Sequence, residues 1–144
     1  MIHIAIVEDE AFYVQQIQNY MERYQQESQR EISVTVYSDG EDILDNYKGD
    51  YDIILMDIQM RFMDGMTAAK NIRKLDDAVV IMFITNMTQY AVQGYEVDAL
   101  DYIIKPVEYF AFSQKLEKAV GRIRRRKRFY VTIPVEEGIQ KLDV

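Results

Sequence analysis

Ile53-Ile54-Leu55-Met56-Asp57 and Val80-Ile81-Met82-Phe83-Ile84-Thr85 decide the reading of this chain, because each is a short apolar run that stops at a polar, reactive residue. Two more runs end the same way: Ile4-Ala5-Ile6-Val7 on Glu8 and Asp9, and Tyr102-Ile103-Ile104 on Lys105. If the runs are parallel strands, these residues gather at one edge of the sheet. Ligands of open α/β sheets bind there, outside the carboxyl ends of the strands. Three carboxylates can hold a divalent cation, one of them can act as a nucleophile, and a lysine and a hydroxyl can bind phosphoryl oxygens. Together they make up one set of phosphoryl-transfer chemistry.

Segments of helical period lie between the runs. Val14, Ile17, Met21 and Tyr24 recur at three and four, as do Phe112, Leu116, Val120 and Ile123. Ile32 to Tyr37 is rich in β-branched residues and precedes Ser38-Asp39-Gly40, a turn and N-cap signal for a short helix carrying Ile43, Leu44 and Tyr47. Asp64-Gly65 opens another helix, expected to run to about Leu75, and Thr88 can cap a further short one that Gly94 ends. The strict βα alternation calls for a parallel sheet with helices on both faces. Right-handed crossovers leave few windings, and the expected strand order is 2-1-3-4-5.

With 144 residues, about half of them apolar, the chain can bury a real core. No stretch approaches the roughly 20 continuous apolar residues of a membrane span, and Met1-Ile2-His3 lacks a signal region, so a cytoplasmic protein with no membrane partner is expected. With no cysteine there are no disulfides or thiolate metal sites, and redox chemistry is not expected. Charge is divided along the chain: residues 122–144 carry 7 basic and 3 acidic side chains, leaving 10 basic against 21 acidic in residues 1–121. The acidic body would repel nucleic acid, so any DNA contact has to come from beyond Gly121. Six of the seven residues Arg122 to Arg128 are basic. This run reads either as a phosphate-neutralising segment or as a helix C-terminus that complements its dipole. Phe129 to Pro134 then reads as a strand, Glu136-Glu137-Gly138 as a hairpin turn, and Ile139 to Val144 as the start of the partner strand. A lone hairpin is marginal in water, so the tail is expected to be the front of a second domain that the chain does not complete.

With these residues placed, residues 1–121 resemble the receiver domain of two-component response regulators. The resemblance rests on Ile6-Val7-Glu8-Asp9-Glu10, on Asp57 after its strand, on Asp64-Gly65 seven and eight positions later, on Thr85, and on Lys105-Pro106. The run Ala99 to Pro106 looks further like the LytTR-type (LytR/AgrA-like) subgroup, and the tail from Arg128 resembles the opening strands of a LytTR-type DNA-binding domain. The resemblance implies a flavodoxin-like (βα)5 receiver over 1–121, with 122–144 a basic linker and the truncated start of the output domain.

It also implies roles. Asp57 would accept the phosphoryl group, with Mg2+ bound directly by Asp9, Asp57 and the Gln59 carbonyl, and by Glu8 through water. Lys105 would pair with a phosphoryl oxygen, Thr85 would donate its hydroxyl, and Tyr102 would be the switch aromatic. Each has a plainer reading: Asp57 as a helix N-cap, Glu8 and Asp9 as a solvated loop, Lys105 as an exposed strand end, Thr85 as a cap, Tyr102 as a packed strand tyrosine. Three carboxylates at one edge would repel each other without a cation, which favours the metal reading. A cis Lys105-Pro106 bond would turn the ammonium towards the site. His3 reads as structural, and Met56, Met60, Met63 and Met66 as packing, since Mg2+ wants oxygen. Arg61, where the family often has proline, and Asn86, where a small residue is usual, depart from the pattern.

The implied function is a transcriptional regulator phosphorylated by a sensor histidine kinase, dimerising on phosphorylation and binding DNA through the complete output domain. The basic tail alone is not expected to select a sequence, because specificity needs side chains held against base edges by a folded element. A stand-alone receiver acting through protein contacts is the alternative. A Mg2+-dependent phosphohydrolase with an aspartyl-phosphate intermediate is disfavoured, because Gln59 stands where such enzymes place their second acid. No turnover enzyme is expected beyond self-catalysed phosphorylation and dephosphorylation.

Overall fold

A computed structural model of the chain describes residues 1–86 and 96–132, with side chains as far as Arg124. The elements follow in the order β1 (Ile2–Val7), α1 (Ala11–Ser28), β2 (Ile32–Tyr37), α2 (Gly40–Asp45), β3 (Ile53–Met56), α3 (Gly65–Leu75), β4 (Val80–Thr85), β5 (Asp101–Ile104) and α4 (Tyr109–Thr132). The strands form one sheet in the order β2-β1-β3-β4-β5, and every neighbouring pair is parallel. Winding order and strand direction match the sequence expectation. The expected helix between Thr88 and Gly94 lies outside the described residues.

The apolar runs are continuous because both faces of the sheet are covered, as all-parallel sheets require. Successive residues of each run point to opposite sides. Ile4, Ile6, Ile53, Leu55, Val80, Met82 and Ile103 pack with Ile17, Met21 and Tyr24 of α1 and with Phe112, Leu116, Val120 and Ile123 of α4. Ala5, Val7, Ile54, Met56, Ile81 and Phe83 pack with Ile43 of α2 and with Met66, Ala68, Ala69 and Ile72 of α3. Each fully buried branched or aromatic side chain among these contributes roughly 1.5–3 kcal/mol relative to exposure. The methionine expectation holds: Met56 and Met66 are buried in this second core, with Met60 and Met63 packed against it.

Side-chain caps fix two helix starts near the site. Asp39 accepts from Glu41 N at the head of α2, and Asp64 accepts from Thr67 N at the head of α3. Each satisfies a backbone donor that has no partner within its helix.

One expectation fails at the tail. The segment read as a strand from Phe129 is helical through Thr132, as a continuation of α4. Extending an existing helix gains a hydrogen bond for each residue fixed. The Arg and Lys residues before Phe129 are good helix formers. The rest of the expected hairpin, Ile133 to Val144, lies outside the described residues. Among the described residues no helix is long and apolar enough to cross a membrane.

Candidate functional site

The sheet order places β1 and β3 side by side at its centre, where the chain reverses its direction of winding. Crevices at such a reversal, beyond the carboxyl ends of the strands, are where open α/β sheets bind ligands. The residues just past the strands are held by continuations of the ladders: Glu8 N donates to Tyr37 O at 3.0 Å, Asp57 N to Val7 O at 2.9 Å, and Lys105 N to Thr85 O at 3.1 Å. The polar residues that end β1, β3 and β5 therefore face one crevice. Lys105-Pro106 is cis. The chain just after it is tied to α1, with Tyr20 donating from its hydroxyl to Val107 O at 2.9 Å and the Tyr20 ring set edge-on to Tyr109.

Lys105 is the hub of the site. Its Nζ lies 3.0 Å from Asp57 Oδ2, 3.0 Å from Glu8 Oε1 and 3.6 Å from Glu10 Oε2, and 4.1 Å from the centre of the Tyr13 ring. Glu8, Asp57 and Lys105 are buried, while Asp9 and Glu10 are exposed. The second Asp57 oxygen accepts the Ile58 N–H at 2.7 Å. Glu8 Oε2 accepts the Glu10 N–H at 3.1 Å. Glu8 Oε1 is in ion-pair range of Lys105 but off the hydrogen-bonding direction, so it is a buried oxygen with no hydrogen bond.

The electrostatics follow from this crowding. Burial first, and then the charge of Asp57, push the Glu8 carboxyl up to about 7, against the opposing pull of Lys105 and the Glu10 N–H. Asp9 is raised by burial and by Asp57 and Glu10. For Lys105, burial works against the charge, but the hydrogen bond to Asp57 and the charges of Asp57 and Glu8 outweigh it and hold the ammonium above its ordinary value.

Glu8, Asp9, Glu10 and Asp57 can bring one carboxylate oxygen each within 4.8 Å of one another. One lysine faces four acids. An all-oxygen donor set of four carboxylates around a single lysine fits a hard divalent cation, whose preferred ligands are oxygens.

The other expected residues are placed as follows. Gln59 is exposed on the loop two residues past Asp57, and Thr85 is buried at the end of β4. Tyr102 is half-buried on β5 and packs on Phe83 of β4, with ring centres 5.4 Å apart. Arg61 and Asn86 are exposed, and the Arg61 guanidinium lies 5.4 Å from the Phe62 ring. His3 donates its backbone N–H to Asp52 Oδ2 at 2.9 Å, in keeping with a structural role.

Four residues of the site were not singled out for it from the sequence. Glu10 enters the sequence reading only as the last residue of Ile6-Val7-Glu8-Asp9-Glu10, and Tyr13 not at all. Asp39 was read as a cap, yet its carboxylate also accepts the Phe62 and Met63 N–H groups, both at 2.9 Å. Gly65 was read as a helix start, yet a Cβ there would lie 2.0 Å from the Asp57 carbonyl oxygen. Only Asp39-Gly40 and Asp64-Gly65 carried a visible signal, as Asp-Gly pairs beside the site.

Residues 4–117 match the family model of the response regulator receiver domain. The chain is similar to the sensory transduction protein LytR of Streptococcus agalactiae, with 30% identity over 139 residues covering 96% of this chain and 54% of that protein. It is also similar to the sensory transduction protein LytT of Bacillus anthracis, with 33% identity over 120 residues covering 82% of this chain and 47% of that protein. This chain thus spans about half the length of these curated relatives. Among solved structures, the response regulatory domain of protein mrkE from Klebsiella pneumoniae superposes with a TM-score of 0.76 at 27% identity, covering 86% of this chain and 99% of that one.

Proposed function

The chain belongs to the response regulator receiver family, and from that premise we propose that Asp57 accepts a phosphoryl group from a sensor histidine kinase. A carboxylate oxygen of Asp57 attacks phosphorus, the P–N bond to the kinase histidine breaks, and its electron pair leaves on the imidazole nitrogen. Phosphoryl transfer asks the protein mainly for position and for neutralisation of charge.

Lys105 supplies part of both. Its ammonium already lies 3.0 Å from Asp57, so a phosphoryl group built on that carboxylate stays within its reach. The Thr85 hydroxyl donates to another phosphoryl oxygen. Mg2+ would be held by Asp9, Asp57 and the Gln59 carbonyl directly and by Glu8 through water, and would neutralise phosphoryl oxygens when bound. Asp9 and Glu10 keep the mouth of the site acidic, which favours entry of a divalent cation.

The observation that carries this reading is the buried Asp57 carboxylate placed between one ammonium and three further carboxylates. Family members are regulators rather than turnover enzymes, and Gln59 in place of a second acid agrees with that. Downstream, Tyr102 on β5 acts as the switch aromatic and phosphorylation promotes a homodimer. Residues 1–121 form the receiver and residues 122–144 lead towards a LytTR-type module that binds DNA and regulates transcription.

Acetyl phosphate with Mg2+ should add one phosphoryl group to the wild-type chain and none to Asp57→Asn, read by intact mass. An equal mass gain in the variant sinks the assignment.

A further inference from the structure

The loop between β3 and α3, residues 57–64, carries the proposed Gln59 ligand directly after Asp57. Ile58 is buried and Met60 and Met63 pack against the second core, but the crest side chains Arg61 and Phe62 lie in solvent, Phe62 with 72% of its surface exposed. The loop is also tied at two places through its backbone. At the base, Gly65 N donates to Ile58 O at 2.7 Å. At the crest, Phe62 N donates to Asp39 Oδ1 and Met63 N to Asp39 Oδ2, across 23 and 24 residues of chain.

Asp39 is a buried carboxylate, 4% exposed, and it serves three donors whose distances are all 2.9 Å: Phe62 N, Met63 N and the Glu41 N of its own helix. Burial by itself would raise this carboxyl, but the backbone N–H groups of Glu41, Phe62, Met63 and Arg61 hold it below the usual range. The neighbouring Gly40 fits closely against the same loop, since a Cβ there would come within 2.8 Å of Met63 O and of Ala68 Cβ. Asp9 borders one cleft of about 370 Å³ together with Asp39, Arg61 and Phe62.

We infer that Asp39 is a positioning residue for the metal site, clamping the loop after Asp57 so that its backbone is preset for a divalent cation. The inference rests on the metal reading above. Removing the Asp39 carboxylate releases both the Phe62 and the Met63 N–H groups, and an amide in its place releases one of them; either frees the loop crest. An asparagine cannot replace the clamp, because one of its two head atoms is a donor facing donors.

The test measures Mg2+ binding to the whole 144-residue chain by calorimetry, and the Mg2+ dependence of Asp57 phosphorylation by acetyl phosphate. Asp39→Asn and Asp39→Ala are compared with wild type and with Asp9→Ala. Partners that orient ligands from behind cost roughly 10–100-fold in metal affinity when removed, and a loss in that range is expected for both Asp39 variants. Their phosphorylation rate should return towards wild type at saturating Mg2+, which a general loss of fold would not allow. Wild-type affinity in both Asp39 variants, alongside lost binding in Asp9→Ala, overturns the clamp and leaves the metal site standing. Absence of Mg2+ binding by the wild type overturns both. If the variants do not fold, amide exchange in the wild type decides. Protected Phe62 and Met63 amides support the clamp, and exchange at unstructured-peptide rates overturns it.

Discussion

Lys105 Nζ lies 3.0 Å from Asp57 Oδ2, a contact between residues 48 apart in the chain that places the last strand's lysine on the central strand's aspartate. The same ammonium stands 3.0 Å from Glu8 Oε1. One buried cation therefore compensates two buried acids until a metal arrives. Breaking a buried ion pair typically costs ~3–5 kcal/mol, because a charge is left uncompensated. Lys105→Met should cost less, about 2–3 kcal/mol at pH 8 without metal, because Glu8 can take up a proton instead. The loss should shrink at pH 5, and added Mg2+ should stabilise the variant more than the wild type. Urea unfolding with and without Mg2+ measures this, and wild-type stability at pH 8 without metal would contradict it.

The two acids after β1 should separate in a Mg2+ titration. Asp9 is exposed at the mouth and assigned as a direct ligand, whereas Glu8 is buried against Lys105 and assigned to act through water. Asp9→Ala is expected to lose Mg2+ binding more completely than Glu8→Ala, read by calorimetry or tyrosine fluorescence. Equal losses would mean that the two roles are wrongly divided.

Burial and the Asp57 charge raise Glu8 from 4.5 to about 7, so the metal-free folded chain keeps a proton that the unfolded chain releases. Stability from this group is fully present below its unfolded value and is lost as pH rises through about 7. A divalent cation drawn to the cluster competes with that proton. Mg2+ binding at pH 6 should release up to about one proton, and apparent affinity should rise with pH until it levels off above 7. Calorimetry at pH 6 in two buffers of different ionisation enthalpy counts the proton, and identical heats in both would refute the coupling.

Gly65 is the glycine whose side-chain space is already taken by the site. A Cβ there would lie 2.0 Å from the Asp57 carbonyl oxygen and 2.9 Å from its carbon, both backbone atoms that cannot swing aside. Gly65→Ala should destabilise by about 1–3 kcal/mol as an overpacked contact, and should slow phosphorylation by displacing Asp57. Gly49→Ala is the control. That glycine is exposed at φ +74° with its nearest neighbour 3.9 Å away, so the substitution should cost backbone strain of about 1–2 kcal/mol and leave phosphorylation unchanged. Equal phosphorylation rates in both variants would remove the link between Gly65 and the site.

The positions of Glu8, Asp9, Asp57, Thr85 and Lys105 were legible in the sequence because of a property of parallel sheets. Each apolar run ends at the same edge, so the residue that stops a run is placed by periodicity and order without knowledge of any contact. The alternation of runs and helical faces, with right-handed crossovers, left few windings, and β2-β1-β3-β4-β5 is the one expected and found. Contacts between residues far apart left no such trace. The aromatic face of Tyr13 under Lys105, Glu10 as a further partner of that lysine, and Asp39 holding the Phe62 and Met63 amides all join distant elements. Their residue types are ordinary where they stand: a helix tyrosine, a loop acid, an N-cap. The segment from Phe129 to Thr132 shows the converse, where local composition suggested a strand. It continues the helix that precedes it, because each residue added to an existing helix closes a further hydrogen bond within the same segment, whereas a strand needs a partner.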